Sequence, residues 1–471
     1  MNLLLAEQAV ETAAAHKEHT VSMGVTFLFA GILATMIAAL ALEEKLHAKK
    51  SVIVAVFALL SLFLGAVFEI LPFGDVQNVF DEHIHLPVYI PAIDWGVIAI
   101  ILGSSLFVDV TSQCGIFTWI AIKLTKTSRG DPLKLLISYS IMTVVFSAVL
   151  NNVTAMIIVG SLSGVSLKKL GRTDKLLGFL LIEGLLTNVG GLLTLISSVP
   201  NIIVGNAAGI GFVEFFLRAS PYVLVVTVIT IVMGARLFGI RKLQTEEERL
   251  KAERLVESFD ENDGVKSQGF FWFGTAMTVL FILTIAFASK LPYIRELELG
   301  YVALLFASIM LVRYKAVADK FYQAIDWDLL GFFAGLFVVV NVMEHARVLA
   351  LIGEGLQAVI NLGPNLGVGS LLVGAAGFSS VTDNIPLAAM LAKILGGMAE
   401  APADGLWWAV VFGANLGGNI TPIGSASTLV AVTIMHKQEV PMSFGGFVKK
   451  AAPFALVQIA LASVYVLLFL N

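Results

Sequence analysis

Long apolar stretches separated by short polar ones make up most of this chain. A helix needs about 20 mainly apolar residues to cross the hydrocarbon core of a bilayer, and many runs approach that length. Clear examples are Met23–Leu42, Val52–Leu71, Tyr222–Phe238, Phe270–Ala288 and Ala451–Leu470. The pattern predicts an all-α polytopic membrane protein, with the lipid bilayer as its first partner.

The composition supports this class. Of 471 residues, 58% are hydrophobic and 14% are charged, whereas a soluble domain carries about 25% charged residues. The sequence contains no basic patch interleaved with aromatic residues, so we expect no nucleic-acid partner. The single cysteine, Cys114, can form no internal disulfide, and a small core residue is the favoured interpretation.

Lysines and arginines concentrate in a few connections, which the positive-inside rule places in the cytoplasm. These connections are Glu43–Lys50, Lys123–Lys134, Lys168–Lys175, Arg236–Lys266, Arg313–Lys320 and Lys437–Lys450. Pro72–Pro91 has no Lys or Arg and should lie outside, along the interface. Residues 1–22 carry three glutamates, so an amphipathic surface helix is favoured over a signal peptide. We expect an inner-membrane protein with both termini external.

The apolar stretch Leu135–Leu167 lies between two of these basic connections. One crossing cannot return the chain to its starting side, and two full crossings would need more apolar residues. We therefore expect a re-entrant hairpin that enters from the cytoplasm and turns at residues 151–154. Non-helical backbone at that depth is tolerated only where protein or a water-filled cavity surrounds it.

Three motifs of the first half recur in the second half in the same order. The pairs are Ile93–Trp95 with Ile325–Trp327, Ser147–Asn152 with Ser379–Asn384, and Asn188–Thr194 with Asn415–Thr421, separated by 232, 232 and 227 residues. Five expected crossings separate the two copies of the first motif, and an odd number inverts the second copy. Inverted repeats are typical of secondary transporters, and the second hairpin should enter from outside.

The repeats predict five parts of the chain. These are 1–92 (a surface helix and two scaffold spans), 93–240 (the first transport repeat), 241–268 (a cytoplasmic linker), 269–325 (scaffold spans) and 326–471 (the second, inverted transport repeat). Within the linker, the charged run from Thr245 to Leu255 predicts a solvated helix. A simple connector is the favoured role.

Two clusters of Gly, Pro, Ser, Thr and Asn interrupt apolar segments, at Asn188–Asn201 and Asn415–Thr428. Gly and Pro break the helix at mid-depth. The freed carbonyls can hold a dehydrated cation, and the N-terminus of the new half-helix can hold an anion. A tightly packed kink explains one such cluster equally well, but two symmetric clusters beside two hairpins favour a transport site.

Ionisable residues inside the apolar segments are few, and each is a functional hypothesis because burial in a membrane is costly. Asp383 lies at the second hairpin turn and could titrate, bind a cation, or cap the following helix. Glu183 lies near the first broken helix, with function and structure equally favoured, and Asp109 lies mid-span. Asp383 and Glu183 are therefore the candidates for proton coupling.

Other charged residues have simpler interpretations. Glu344, His345 and Arg347 form a cluster in which a local ion pair is favoured over a proton relay. Asp94 and Asp326 should cap the helices that follow them.

Several classes of protein are excluded by missing motifs. There is no Cys/His spacing for a metal site, no phosphate-binding Gly-rich loop followed by Lys-Ser/Thr, and no Gly-x-Ser-x-Gly elbow. We expect neither an enzyme nor an ATP-driven pump, and no cofactor.

From about Asp94 onward the sequence resembles the ion transporter superfamily, in the branch of arsenite permeases, NhaD-type Na⁺/H⁺ antiporters and the melanosomal P protein. The matching stretches are Ser147–Thr154, Glu183–Asn201, Val381–Pro386 and Gly417–Ser427. Two carboxylates of the family pattern are replaced here, by Asn151 and by Ser197-Ser198, which leaves Asp383 as the matching one. The resemblance implies an elevator mechanism and a homodimer.

We expect a secondary transporter for a small inorganic ion, with Na⁺/H⁺ antiport favoured and Asp383 as the coupling carboxylate. The expected site comprises Asn151, Asn152, Thr154, Asn188, Gly190, Thr194, Asp383, Asn384, Asn415, Gly417, Thr421 and Ser425. Na⁺ is expected at Asp383, Asn384 and Asn188. An anion permease for arsenite or a dicarboxylate, coupled to H⁺ or Na⁺, is the alternative, because half-helix ends rich in Ser, Thr and Asn bind oxyanions. A membrane scaffold or sensor is the third, least favoured class.

Overall fold

A computed structural model describes residues 21–72, 75–77, 83–315, 318–382, 384–398, 401–440 and 442–471. The expected surface helix within residues 1–22 falls almost wholly outside the described residues. The first helices are Met23–Ala41 (α1), Glu43–Leu46 (α2), Lys50–Val67 (α3), Tyr89–Ala92 (α4), Trp95–Ser112 (α5) and Ile116–Ser128 (α6). Between α3 and α4, the short strands Asp75–Gln77 (β1) and His83–His85 (β2) pair antiparallel, with Val76 opposite Ile84.

The remainder of the first half follows the predicted order. It comprises Pro132–Val149 (α7), Asn152–Lys169 (α8), a 3₁₀ turn at Thr173–Lys175, Leu176–Gly191 (α9), Val199–Ala208 (α10), Phe212–Leu237 (α11) and the linker helix Glu246–Glu257 (α12). The turn between α7 and α8 falls at the predicted Asn151.

The second half repeats this order. It comprises Gln268–Phe287 (α13), a 3₁₀ turn at Ala288–Lys290, Ile294–Arg313 (α14), Ala318–Ala324 (α15), Trp327–His345 (α16), Val348–Ile360 (α17), Pro364–Ser379 (α18), Asn384–Gly396 (α19), Asp404–Gly417 (α20), Ala426–Lys437 (α21) and Phe444–Tyr465 (α22). A π-helical turn at Val466–Leu470 continues α22.

Eight helices of the described chain are long and apolar enough to cross a membrane: α1, α3, α5, α7, α11, α13, α16 and α22. The prediction of an all-α polytopic membrane protein is therefore confirmed, with one short strand pair as the exception. Asp94 and Asp326 cap α5 and α16 as predicted, since their carboxylates accept from the backbone N–H of Val97 and Leu329 at 3.0 and 2.9 Å.

One span of each half packs against a span of the other half; we call these the exchanged spans. The helix α3 packs along α16 of the second half, while α14 packs along α5 of the first half. The two hairpins, α7–α8 and α18–α19, pack instead around α9 and α20. Nearly every residue of α9 and α20 is buried, so these two helices form the centre of the molecule.

The helices α6 and α17 connect the exchanged spans to the hairpins, and left-handed residues bound both. The backbone φ is +88° at Gly115 and +53° at Arg129 on either side of α6, and +62° at Arg347 and +114° at Gly363 around α17. Sharp changes of direction therefore occur at corresponding places in both halves.

The linker packs against the first repeat rather than only connecting the halves. The charged run forms the predicted helix α12, and the Thr245 side chain caps it. The backbone N–H of Leu243 donates to Asp131 Oδ2 at 3.0 Å, and Arg172 pairs with Glu248 at 3.2 Å. Lys126 hydrogen-bonds Glu261 and lowers the pKa of that carboxyl. The linker therefore contacts the loops at the ends of α6 and α8.

The predicted ion pair within the Glu344–Arg347 cluster is wrong. Glu344 pairs with Lys393 of α19 at 3.1 Å, and His345 Nδ1 contacts the carbonyl of Asn341 at 2.8 Å. The reason is geometric: α16 ends at His345, and Arg347 takes a left-handed turn there, so the chain changes direction between the two charges.

Replacing Gly115 by alanine should destabilise the protein strongly. A β-carbon there would lie 2.2 Å from the carbonyl oxygen of Gly264 in the linker, at a φ of +88°. Gly171→Ala is the matched control, because Gly171 has a φ of +65° but no atom within 4 Å of such a β-carbon. Both variants carry a backbone cost of about 1–2 kcal/mol, so in detergent Gly115→Ala should melt lower than Gly171→Ala. Equal melting temperatures would contradict the close approach.

Candidate functional site

Both predicted broken helices are present. The helix α9 ends at Gly191 and resumes as α10 at Val199, and α20 ends at Gly417 and resumes as α21 at Ala426. The residues between are non-helical. Ser198 and Ser425, 227 residues apart, are the N-caps of α10 and α21. Each break thus presents a new helix N-terminus inside the protein.

The hairpin turns present two more helix N-termini. Asn151 caps α8, with its side-chain oxygen accepting from the backbone N–H of Thr154 at 2.8 Å. In the second half, α19 begins at Asn384. Asp383, the predicted coupling carboxylate, lies outside the described residues.

Hydroxyl groups bind each hairpin to its broken helix in the same way in both halves. Ser147 donates to the Thr187 carbonyl and Ser379 donates to the Ala414 carbonyl, both at 2.6 Å. The corresponding threonines, Thr194 and Thr421, donate to the carbonyls of Ala148 and Ser380 at 2.6 and 2.5 Å. These bonds position each hairpin turn beside its break.

Two asparagines hold the two breaks together. The Oδ1 of Asn188 accepts from Ser425 at 2.9 Å and from Ser427 at 3.0 Å. Reciprocally, the Oδ1 of Asn415 accepts from Ser198 at 2.7 Å, and its Nδ2 donates to Asn201 at 2.9 Å. Each asparagine therefore fixes the half-helix of the opposite repeat.

A network of hydrogen-bonded amide side chains extends from these contacts between the two breaks. Asn152 Nδ2 donates to Asn188 Oδ1 at 3.2 Å, and Asn188 Nδ2 donates to Asn419 Oδ1 at 2.8 Å. Asn419 donates in turn to Gln458 Oε1 at 2.8 Å, and Gln458 donates to Thr230 at 3.1 Å. Because Asn188 Oδ1 already accepts three hydrogen bonds, a cation bound there would have to displace one of them.

A cavity of about 420 Å³ opens beside the four helix N-termini. Its polar lining comprises Lys50, Ser105, Asp109, Asn151, Asn152, Thr154, Ser197, Ser198, Asp326, Asp328, Asn384 and Ser425. The carboxylate of Asp328 is occupied by Ser51, whose backbone N–H and hydroxyl donate to it at 3.2 and 2.5 Å. Asp326 caps α16. Among the described residues, the Asp109 carboxylate has no such hydrogen bond.

The structure divides the predicted site residues into two groups. Five of them line the cavity: Asn151, Asn152, Thr154, Asn384 and Ser425. Six others are not in its lining and form the supporting contacts between helices: Asn188, Gly190, Thr194, Asn415, Gly417 and Thr421. Glu183 also lies away from the cavity, fully buried on α9.

Several residues that line the cavity or support its walls were not predicted from the sequence. Ser198 was noted only as a departure from a family pattern, although the separation of 227 residues from Ser425 marks it as a symmetric cap. Asn419 and Gln458 were not singled out by any motif, because their hydrogen bonds depend on how distant helices pack together. Lys50 and Asp328 reach the cavity because α3 and α16 belong to exchanged spans.

Comparison with known proteins agrees with this architecture. The family model described as citrate transporter matches residues 37–413. The uncharacterized transporter Rv2684 of Mycobacterium tuberculosis is 30% identical over 410 residues, covering 85% of this chain and 91% of that protein. Human P protein is 24% identical over 451 residues, covering 80% of this chain and 53% of that protein.

Solved structures show the same fold at low identity. The YdaH transporter of Alcanivorax borkumensis, described as having an unusual topology, superposes with a TM-score of 0.59 at 15% identity, covering 90% of this chain and 98% of that one. MtrF of Neisseria gonorrhoeae gives a TM-score of 0.51 at 13% identity, covering 90% and 95%. With the broken helices, the spans and the family match together, this chain is a multi-pass membrane transporter that belongs to the citrate transporter family.

Proposed function

We propose that this protein is a secondary transporter for a small carboxylate or similar oxyanion, coupled to H⁺ or Na⁺. The convergence of four helix N-termini, those of α8, α10, α19 and α21, on one cavity carries the proposal. The N-terminus of a helix bears a partial positive charge of about +0.5 e and favours bound anions. Hydroxyl and amide side chains at these termini add uncharged groups that can bind oxygen atoms.

The cavity volume favours an organic anion over a bare ion. At about 30 Å³ per water molecule in the liquid, a space of about 420 Å³ holds a ligand of many heavy atoms. Among the described residues, Lys50, whose Nζ lies 3.8 Å from Glu43 Oε1, is the one Lys or Arg in the lining of the cavity. The family description of citrate transporter is consistent with such a substrate.

Na⁺/H⁺ antiport is the second candidate, and Asp109 is the observation that favours it. This carboxylate lines the cavity without a hydrogen bond from another described side chain, so it is available to a cation or a proton. Asp383 remains the expected coupling carboxylate from the sequence, with Na⁺ expected beside Asn384. An Asp383→Asn variant that retains full coupled transport would contradict that role.

Elevator movement is the mechanism that the architecture favours. The helices α6 and α17 join the exchanged spans to the hairpins, with left-handed residues at their ends. Such joints allow the body formed by the hairpins and broken helices to move against the spans as a unit. The homodimer expected from the resemblance stays a prediction, as do the cytoplasmic position of the linker and the external termini.

One assay separates the two candidates. In everted vesicles, the dissipation of a pH gradient is measured after adding Na⁺, Li⁺ or K⁺, and then citrate, succinate or arsenite. We expect a response to a carboxylate, and Asp109→Asn should retain it. A response to an alkali cation and to no anion, lost in Asp109→Asn, would overturn the anion proposal and support antiport.

A further inference from the structure

Glu183 is a carboxylic acid enclosed within the helical body and absent from the cavity lining. Its side chain is 0% exposed at the middle of α9, five residues before Asn188. The burial of an ionisable group in a membrane protein is costly and usually accompanies a function. The transport site described above does not use this group.

The hydrogen bonds of Glu183 are those of a neutral acid. Ser163 of α8 donates to Oε1, while Oε2 is buried without a hydrogen-bond partner among the described residues. An ionised carboxylate offers about four acceptor positions, and a buried charge needs a paired cation or several donors. One hydroxyl is too little for the ionised form, so the site as built holds a proton.

A series of buried hydroxyl groups leads from this acid toward the end of α6. Thr125 Oγ1 and Tyr139 OH are 2.5 Å apart, and Tyr139 OH and Ser166 Oγ are 2.8 Å apart. All three side chains are 0% exposed. Ser166 follows Ser163 by three residues, a rise of about 4.5 Å along α8, so a proton passing between their hydroxyls would need one intervening water molecule.

Hydroxyl groups both donate and accept, so such a series can pass a proton from one member to the next. Thr125 lies one turn before Ser128, the last residue of α6. The series thus lies between the last turn of α6 and Glu183, and none of its members is in the lining of the cavity. The positive-inside rule places the loop between α6 and α7 in the cytoplasm.

Among the described residues, the helices packed against α9 carry no Lys, Arg, Asp or Glu at mid-helix. The helix packs against α7, α8, α11, α20, α21 and α22. Tyr139 on α7 is the titratable group that interacts electrostatically with Glu183. On α11, Tyr222 is buried near mid-helix, and the 3₁₀ turn before α9 adds Asp174 and Lys175. The remaining charged or titratable residues lie toward helix ends: Lys134, Lys168, Lys169, Glu214, Arg218, Arg236, Asp404, His436, Lys437, Lys449, Lys450 and Tyr465.

We propose that Glu183 is the proton-binding site of this transporter, and that Thr125, Tyr139, Ser166 and Ser163 form its route, separate from the substrate cavity. Protonation adds one H⁺ to the Glu183 carboxylate, and deprotonation returns it along the same hydroxyls. Because Glu183 and Asn188 share α9, the charge of Glu183 affects the helix that fixes the opposite break. This inference rests on the proposed function for the identity of the transported anion and for its coupling to H⁺.

The coupled test uses the full chain in liposomes containing a pH-sensitive dye and [¹⁴C]citrate. Glu183→Gln should retain citrate exchange at equal pH and lose pH-driven citrate accumulation. Tyr139→Phe should slow the proton signal about tenfold, equivalent to about 1.4 kcal/mol on the barrier. Ser140→Ala, which removes a buried hydroxyl of α7 outside the series, is the control and should change neither signal.

A second measurement needs no substrate. Infrared difference spectra of the purified protein across a pH titration should contain a carboxylic-acid C=O band that Glu183→Gln lacks. If the wild type exchanges no citrate, the proposed substrate is wrong while this band still tests Glu183. An unchanged band in Glu183→Gln, or full pH-driven accumulation by that variant, would overturn the proposal. If Glu183→Gln does not fold, an unchanged proton signal in Tyr139→Phe overturns the route.

Discussion

Asn188→Ala should abolish transport and destabilise the fold together. The Asn188 amide accepts hydrogen bonds from three side chains and donates one to Asn419. Truncation removes a partner from Ser427 and Asn419, which are 0% exposed, and from the half-buried Asn152 and Ser425. Each buried group left without a partner costs about 1–3 kcal/mol. Even a partial sum of about 3 kcal/mol is a large share of a typical folding free energy, and we expect transport to be lost because the two breaks would no longer be held in register.

The measurement is substrate exchange in liposomes together with the melting temperature in detergent. Asn206→Ala is the matched control, because Asn206 lies exposed on α10 and its side chain forms no hydrogen bond with the described residues. Asn188→Ala should melt well below Asn206→Ala. Equal melting temperatures and equal transport in the two variants would show that the hydrogen bonds of Asn188 between the two breaks do not hold the site together.

The hydropathy pattern predicted the spans because membrane insertion depends on local composition. The run Met23–Leu42 became α1 at Met23–Ala41, and both breaks occur where Gly, Pro and Ser interrupt apolar segments. Helix ends were predictable for the same local reason: Asp94 and Asp326 have the side chain that a cap requires. The order of elements in the two halves followed from the repeated motifs.

The contacts between the halves could not be predicted in this way. The bond from Ser425 to Asn188 joins residues 237 positions apart, and nothing local to either residue specifies it. The separation of 227 residues between corresponding positions of the two breaks does suggest where a contact between the breaks has its symmetric counterpart. The hydrogen bond from Ser198 to Asn415 is that counterpart. The serine that stands in place of a family carboxylate at position 198 therefore has a defined partner in the structure.

The linker shows the same limit at the surface of the molecule. Its charged run predicted a helix from local pairs, but its closest ion pairs reach other segments, such as Arg172 with Glu248. Val256 on the same helix is 1% exposed, so one face of α12 is buried against the repeat. The charge-rich run therefore predicted the helix but not where it packs, because its packing depends on the loops that it contacts.

The second large effect is expected at Gly417, where the broken helix α20 meets the hairpin helix α18. A β-carbon at Gly417 would lie 2.3 Å from the carbonyl oxygen of Ala376 and 2.8 Å from its Cα. Both are backbone atoms that no rotamer change can move. Gly417→Ala should therefore separate the break from its hairpin turn, lowering stability by about 1–3 kcal/mol, as overpacked cores do, and abolishing transport.

Gly377→Ala on α18 separates this contact from the intrinsic effect of the substitution. No atom lies within 4 Å of a β-carbon at Gly377, and alanine is favoured over glycine inside a helix by about 1 kcal/mol. Gly377→Ala should thus melt at or above the wild type and transport normally, while Gly417→Ala melts below it. Gly377 lies within α18 whereas Gly417 is the last residue of α20, so it is a melting temperature of Gly417→Ala below that of the wild type that reports the packing between break and hairpin. Equal melting temperatures and equal transport would show that α20 can move away from α18 without cost, which would contradict a rigid site.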